Sequence, residues 1–209
     1  MNYYPIYLNM TERRCLVIGG GAVAERKIAG LLEAGAKLTV ISPAITDTMA
    51  RWAKDRAIEL IARRYQVGDL TEHESGCVAT DDGAVNAQVF SDGRRLGVWV
   101  NAVDDPEHCD FILPSVLRRG ALSIAVSSGG TSPALSRTIR EELELYFTDE
   151  YTLLAKLAAE ARAELHGRGV SVPFATWRRA LSGDVRQLLM RGEIARAKVL
   201  LLRELGVES

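Results

Sequence analysis

Gly19-Gly20-Gly21-Ala22-Val23-Ala24 follows the apolar run Cys15-Leu16-Val17-Ile18 directly and opens a stretch of helical periodicity, marked by Val23, Ile28, Leu31 and Leu32, that lasts to Gly35. The G-x-G-x-x-A spacing between a strand and a helix is a dinucleotide fingerprint, and the context raises it above a bare glycine turn. Gly19 allows the tight turn, Gly21 lets backbone approach a pyrophosphate, and Ala24 keeps helix and strand close. The helix N-terminus then offers free N–H groups and positive dipole to phosphate.

The second apolar strand ends at Ile41-Ser42-Pro43, without the acid that commonly binds a ribose 2′-hydroxyl, and Ser42 is the group that could accept that bond instead. No arginine follows Ile41 to meet a 2′-phosphate, so NAD is favoured over NADP. Lys37, Arg26 and Lys27 read as solvated helix-face charges. Two acidic clusters, Thr80-Asp81-Asp82 and Asn101 with Asp104-Asp105, fall where strands end, on the edge at which doubly wound folds bind ligands. Each alone is also ordinary turn chemistry. Ser127-Ser128-Gly129-Gly130-Thr131-Ser132-Pro133 opens a later helix, as a second anion cradle or as a capping turn. It has no lysine in the phosphate-loop position, which argues against triphosphate hydrolysis. His73 and His166 lie in polar surroundings, whereas His108 stands four residues after Asp104 and could reach the same site or serve structurally.

These groups need a scaffold. Apolar runs at Cys15–Ile18, Leu38–Ile41, Ile58–Ile61, Cys77–Thr80 and Val98–Val103 alternate with helical segments, which predicts an α/β Rossmann-type doubly wound parallel sheet. After Asp104 the pattern changes: Asp110 to Leu113 and Leu122 to Val126 read as strands joined by the basic turn Arg118-Arg119-Gly120. From Ser132, a capping residue, and Pro133, suited to a first helical position, the chain is helical. Leu135, Ile139, Leu143 and Leu145 form an apolar stripe, and further helices are predicted over Glu150–His166, Phe174–Leu181 and Asp184–Leu205. The division expected is a nucleotide domain over residues 1–113, a small α+β dimerisation region over 114–148 and a C-terminal helical domain over 149–209.

Hydrophobic residues make up 47% and charged residues 25% of the 209, so a packed core is affordable without staples. With 26 basic and 27 acidic residues the formal net charge is -1, which excludes a field holding nucleic acid or anionic lipid. Cys15, Cys77 and Cys109 lack metal or redox spacing and read as reduced thiols, and no metal site is expected. No signal-peptide pattern and no membrane-length apolar run is found, so the expected compartment is the cytoplasm.

Taken together, Val17 through Lys27, Ala79-Thr80-Asp81-Asp82 with Asn86, Asn101 through Pro106 and Ser127 through Pro133 resemble the precorrin-2 dehydrogenase and sirohydrochlorin ferrochelatase family, the N-terminal region of siroheme synthases. The blocks occur in family order over residues 1 to 145. The resemblance implies a homodimer that uses NAD to oxidise the tetrapyrrole precorrin-2 to sirohydrochlorin, with insertion of Fe²⁺ as a further activity in some members. It implies Gly21, Ala22 and Val23 at the pyrophosphate, Ser42, Pro43 and Ala44 beside the adenosine ribose, and Asp104 in catalysis. Gly19 and Thr80 join the cofactor set from their positions. Ser128 matches a serine that is phosphorylated in some members. A polycarboxylate substrate calls for cations, and Arg118, Arg119, Arg137 and Arg140 are the candidates. Competing readings are an NAD-binding sensor or metal-delivery module, which would not need Asp104, and a dehydrogenase of another small substrate.

Overall fold

The alternation of strands and helices produces a five-stranded parallel sheet in the order β3-β2-β1-β4-β5, formed by β1 (Arg14–Ile18), β2 (Lys37–Ile41), β3 (Glu59–Ile61), β4 (Ser75–Val78) and β5 (Trp99–Ala102). The computed structural model describes residues 3–207, which fall into two compact units dividing after Leu113. In the first unit the register is continuous: Val17 stands beside Val40 on one side and Cys77 on the other, and Cys77 faces Asn101.

Strand alternation sorts the core onto two faces. Cys15, Val17, Val40 and Cys77 pack with Ala24 and Ile28 of α1 (Ala22–Glu33) and Met49 of α2 (Asp47–Lys54). Leu16, Ile18, Val78 and Val100 pack on the opposite face with Val89 of α3 (Gly83–Leu96). Both faces are covered, which is why the strands read as continuous apolar runs. Chain order reverses direction between β1 and β4, so the glycine turn that follows β1 opens at the topological switch point, where such sheets leave a crevice for ligands.

The second unit begins with an antiparallel hairpin, β6 (Ser115–Arg119) and β7 (Leu122–Val126), against which α4 (Pro133–Tyr146) packs. Three expectations change from Asp110 onward. Asp110–Leu113 is not a strand: Cys109 makes a single bridge to Asn101, and the Asp110 carboxylate accepts the Val100 N–H at 3.0 Å where a ladder would need a backbone carbonyl. Arg118 and Arg119 lie within β6, and the turn is Gly120-Ala121. Beyond it, α5 (Glu150–Gly167), α6 (Phe174–Ala180), α7 (Asp184–Met190) and α8 (Ile194–Glu204) enclose a core of Leu154, Leu157, Leu165, Val185, Leu189 and Leu201. The single helix expected over Asp184–Leu205 is two, because Gly192 takes φ +76° and the Glu193 N–H turns back to the Leu188 carbonyl at 2.9 Å, a left-handed helix stop. Among the described residues no helix is long and apolar enough to cross a membrane.

Candidate functional site

The glycine turn is shaped by its neighbours at two positions and left open at the third. Gly19 has φ +121°, and a Cβ there would stand 2.2 Å from the Ala79 carbonyl oxygen. A Cβ on Gly20 would meet the Ala44 carbonyl oxygen at 1.8 Å and Ser42 Oγ at 2.6 Å. Gly21 differs: its φ of -87° suits any residue and a Cβ would meet nothing within 4 Å. It is the N-cap of α1 and contributes no side-chain acceptor, so the first-turn N–H groups of exposed Ala22 and Val23 face outward with no intrahelical partner. A pyrophosphate fits this turn, since the space beside Gly21 and the uncapped donors suit an anion in close contact with backbone. Gly20 was given no role from sequence, although the run of three glycines was its signal. Ala24, fully buried, keeps α1 against the sheet as expected.

Ser42, Pro43 and Ala44 follow β2 beside this turn. Pro43 and Ala44 are exposed, but Ser42 is only 6% exposed and donates its hydroxyl proton to the Ala44 carbonyl at 2.6 Å. Ser42 therefore shapes the loop from behind instead of presenting its hydroxyl outward for a ribose.

At the ends of β4 and β5 the acidic clusters separate by role. Asp82 caps α3, accepting from the Ala84 and Val85 N–H groups at 3.1 and 3.3 Å, which is turn chemistry. The half-buried hydroxyl of Thr80 donates to buried Asn86 at 3.4 Å, and the Asn86 amide donates to Asp105 at 3.3 Å. Asp105 also pairs with His108 Nδ1 at 2.8 Å, and this ring, its principal partner, holds the Asp105 carboxyl below the usual carboxylate range. The His108 ring stands edge-on to Phe90, so it belongs to an anchored loop. Asp104 is exposed on that same loop with φ +57°, a left-handed conformation that costs a non-glycine residue energy.

Lys27 departs from the solvated charge expected. It is half-buried, and its ammonium donates to Asn101 Oδ1 at 2.9 Å. Burial pushes its pKa down, opposed by the thiols Cys77 and Cys109 and the carboxylate of Asp104. The signal was present in the helix stripe: Lys27 lies at i+3 between Ala24 and Ile28, on the buried side. Arg26 is exposed and Lys37 pairs with Glu12, both as expected of surface charges.

The other predicted residues belong to the second unit. Ser128 Oγ accepts the Ser132 N–H and donates to the Ser132 carbonyl, both at 2.9 Å, while Ser132 caps α4 through the Leu135 N–H, so the second small-residue loop is a capping turn. Arg119 donates to the Phe147 carbonyl at 2.7 Å, Arg137 pairs with Glu141 at 2.8 Å, and Arg140 is held by Glu141 and Glu144. Arg118 is exposed on β6.

Comparison with known proteins gives matches over both units. A family model described as "Putative NAD(P)-binding" matches residues 6–115, and one described as "Sirohaem biosynthesis protein central" matches residues 119–144. Siroheme synthase 1 of Aeromonas salmonicida is 39% identical over 203 residues, covering 96% of this chain and 43% of that protein. Siroheme synthase of Nitrosococcus oceani is 37% identical over 195 residues, covering 92% and 42%. The chain thus spans less than half the length of the curated relatives it matches. Among solved structures, "SirC, precorrin-2 dehydrogenase" superposes with a TM-score of 0.73 at 26% identity, covering 94% of this chain and 98% of that one.

Proposed function

Because the chain belongs to the NAD(P)-binding family whose model it matches over residues 6–115, we propose that it oxidises precorrin-2 to sirohydrochlorin with NAD. The observation that carries this reading is the uncapped first turn of α1, open beside Gly21 at the switch point of the sheet, with the Asp104 loop at the end of β5 on the same sheet edge. The similarity to a precorrin-2 dehydrogenase and to siroheme synthases supports the substrate.

NAD, when bound, would supply the hydride acceptor. Gly21, Ala22 and Val23 would hold its pyrophosphate through backbone N–H groups, Gly19, whose own N–H is given to the Ile41 carbonyl at 3.0 Å, would shape the turn that admits it, and Pro43, Ala44 and Thr80 would flank the nucleoside parts. Loss of a hydride from a ring carbon of the substrate requires loss of a neighbouring proton, and the exposed Asp104 carboxylate would accept it. A substrate rich in carboxylates would be oriented by cations. Arg118 is exposed for this, whereas Arg119, Arg137 and Arg140 would first have to exchange their present partners. Ser128 would contribute its loop more than its hydroxyl, which is engaged with Ser132.

The second unit supports a homodimer in this proposal. A two-stranded hairpin is marginal alone, and α4 buries only Ser136 while Leu135 and Leu145 are 52% and 83% exposed. Insertion of Fe²⁺ into the product is a second reading, favoured by Asp104 lying one residue from the Asp105–His108 pair, since metalation needs bases for two ring N–H protons. One anaerobic assay with purified protein, NAD and precorrin-2, then Fe²⁺, tests both. Sirohydrochlorin must accumulate only with NAD and protein; its metalation must exceed the protein-free rate, or the chelatase reading fails alone.

A further inference from the structure

Lys27 is a half-buried ammonium that the proposed reaction does not use. It extends from α1, the helix opened by the glycine turn, across β4 to Asn101 of β5. The groups facing it are the thiols of Cys77 on β4 and Cys109 on the returning chain, the carboxylate of Asp104 and, from its own helix, Arg26. Asn101 is only 6% exposed and polar on a sheet face lined mostly by apolar side chains, so its presence there needs an explanation. Its amide group is engaged on both sides: Oδ1 accepts from Lys27 at 2.9 Å, and Nδ2 donates to the Phe111 carbonyl at 2.9 Å and to Cys109 Sγ at 3.5 Å. Phe111 and Cys109 lie on the chain returning from the Asp104 loop, and Cys109 bridges Asn101 through its backbone. Lys27, Asn101 and Phe111 thus form one line of bonds from the cofactor helix to the base of the loop.

We infer that Lys27 is a positioning residue: through Asn101 it ties the helix that would hold the pyrophosphate to the loop that carries Asp104, so that the base is held in register with the bound cofactor. The role rests on the precorrin-2 reading for its catalytic consequence but not for its structural one. The aliphatic stem of a methionine fills the same path without the charge, while arginine keeps a donor able to reach Oδ1.

The test combines amide hydrogen exchange of residues 103–109, free of any assay of turnover, with steady-state kinetics. Lys27→Met should raise exchange in that segment about tenfold and lower kcat about tenfold, with KM for NAD changed less than about twofold, and Lys27→Arg should restore both. Asn101→Ser should reproduce these effects, and the double variant should be no worse than either single one, because both remove one link. Unchanged exchange in Lys27→Met, failure of arginine to rescue, or additive losses would overturn the inference. Should Lys27→Met not fold, Asn101→Ser decides by the same criteria. A wild-type protein that does not oxidise precorrin-2 would sink the functional reading, while the exchange measurements would still judge the tie.

Discussion

Gly21→Asp separates what the glycine turn does for the fold from what it does for the cofactor. Gly21 has extended backbone, φ -87° and ψ -177°, and a Cβ there meets nothing, so the folded state accepts a side chain without strain. Aspartate is moreover a favoured N-cap: its carboxylate would accept from the N2 or N3 amide of α1 and sit at the positive end of the dipole, stabilising by a few tenths of a kcal/mol over glycine. Those are the donors a pyrophosphate needs. A carboxylate about 4 Å from a phosphate charge costs about 4 kcal/mol at an effective dielectric near 20, roughly a thousandfold in affinity. Thermal unfolding should therefore show an unchanged or slightly raised Tm, while calorimetric titration with NAD shows affinity reduced about a thousandfold. Gly20→Ala is the opposite control, since its methyl would overlap the Ala44 carbonyl at 1.8 Å; it should cost about 1–3 kcal/mol of stability. Native-like NAD affinity in Gly21→Asp, or its unfolding, would refute the reasoning.

Asp104→Ala should leave Tm and NAD affinity intact and reduce precorrin-2 oxidation by roughly 10²–10⁴-fold; near-normal turnover would shift attention to Asp105 and His108. NAD should bind more tightly than NADP by titration, because Arg63, which follows β3 beside the end of β2, is already bound to both oxygens of Asp69 at 2.7 Å; equal or reversed affinities would refute this. The Arg63 guanidinium holds the Asp69 carboxyl below its usual range, so the pair stabilises above the unfolded value near about pH 4 and is lost as pH falls through the folded one. Urea unfolding of Asp69→Asn should accordingly show lower stability at neutral pH and a flatter decline into acid. Light scattering should find the proposed dimer for the unaltered protein and a monomer for Leu135→Glu with Leu145→Glu, with the first unit's NAD binding retained.

The parallel sheet was legible in the chain alone, because both faces of each strand are covered and the strands consequently read as apolar runs. So was the fingerprint, since glycine identities at fixed spacing record local backbone geometry, and so were the caps at Ser132 and Pro133, which are equally local. Other features depended on contacts distant along the chain. Gly20 owes its identity to Ala44, Lys27 owes its burial to Asn101, and Ser42 faces inward because a carbonyl two residues on accepts its proton. Asp110 ended an expected strand by placing its carboxylate on Val100, and Gly192 divided an expected helix through a backbone bond to Leu188. Periodicity reports which face of an element is buried. Which polar group will meet a charge buried on that face is decided only when the elements pack, because an ammonium and an amide 74 residues apart become partners through the order of the strands between them.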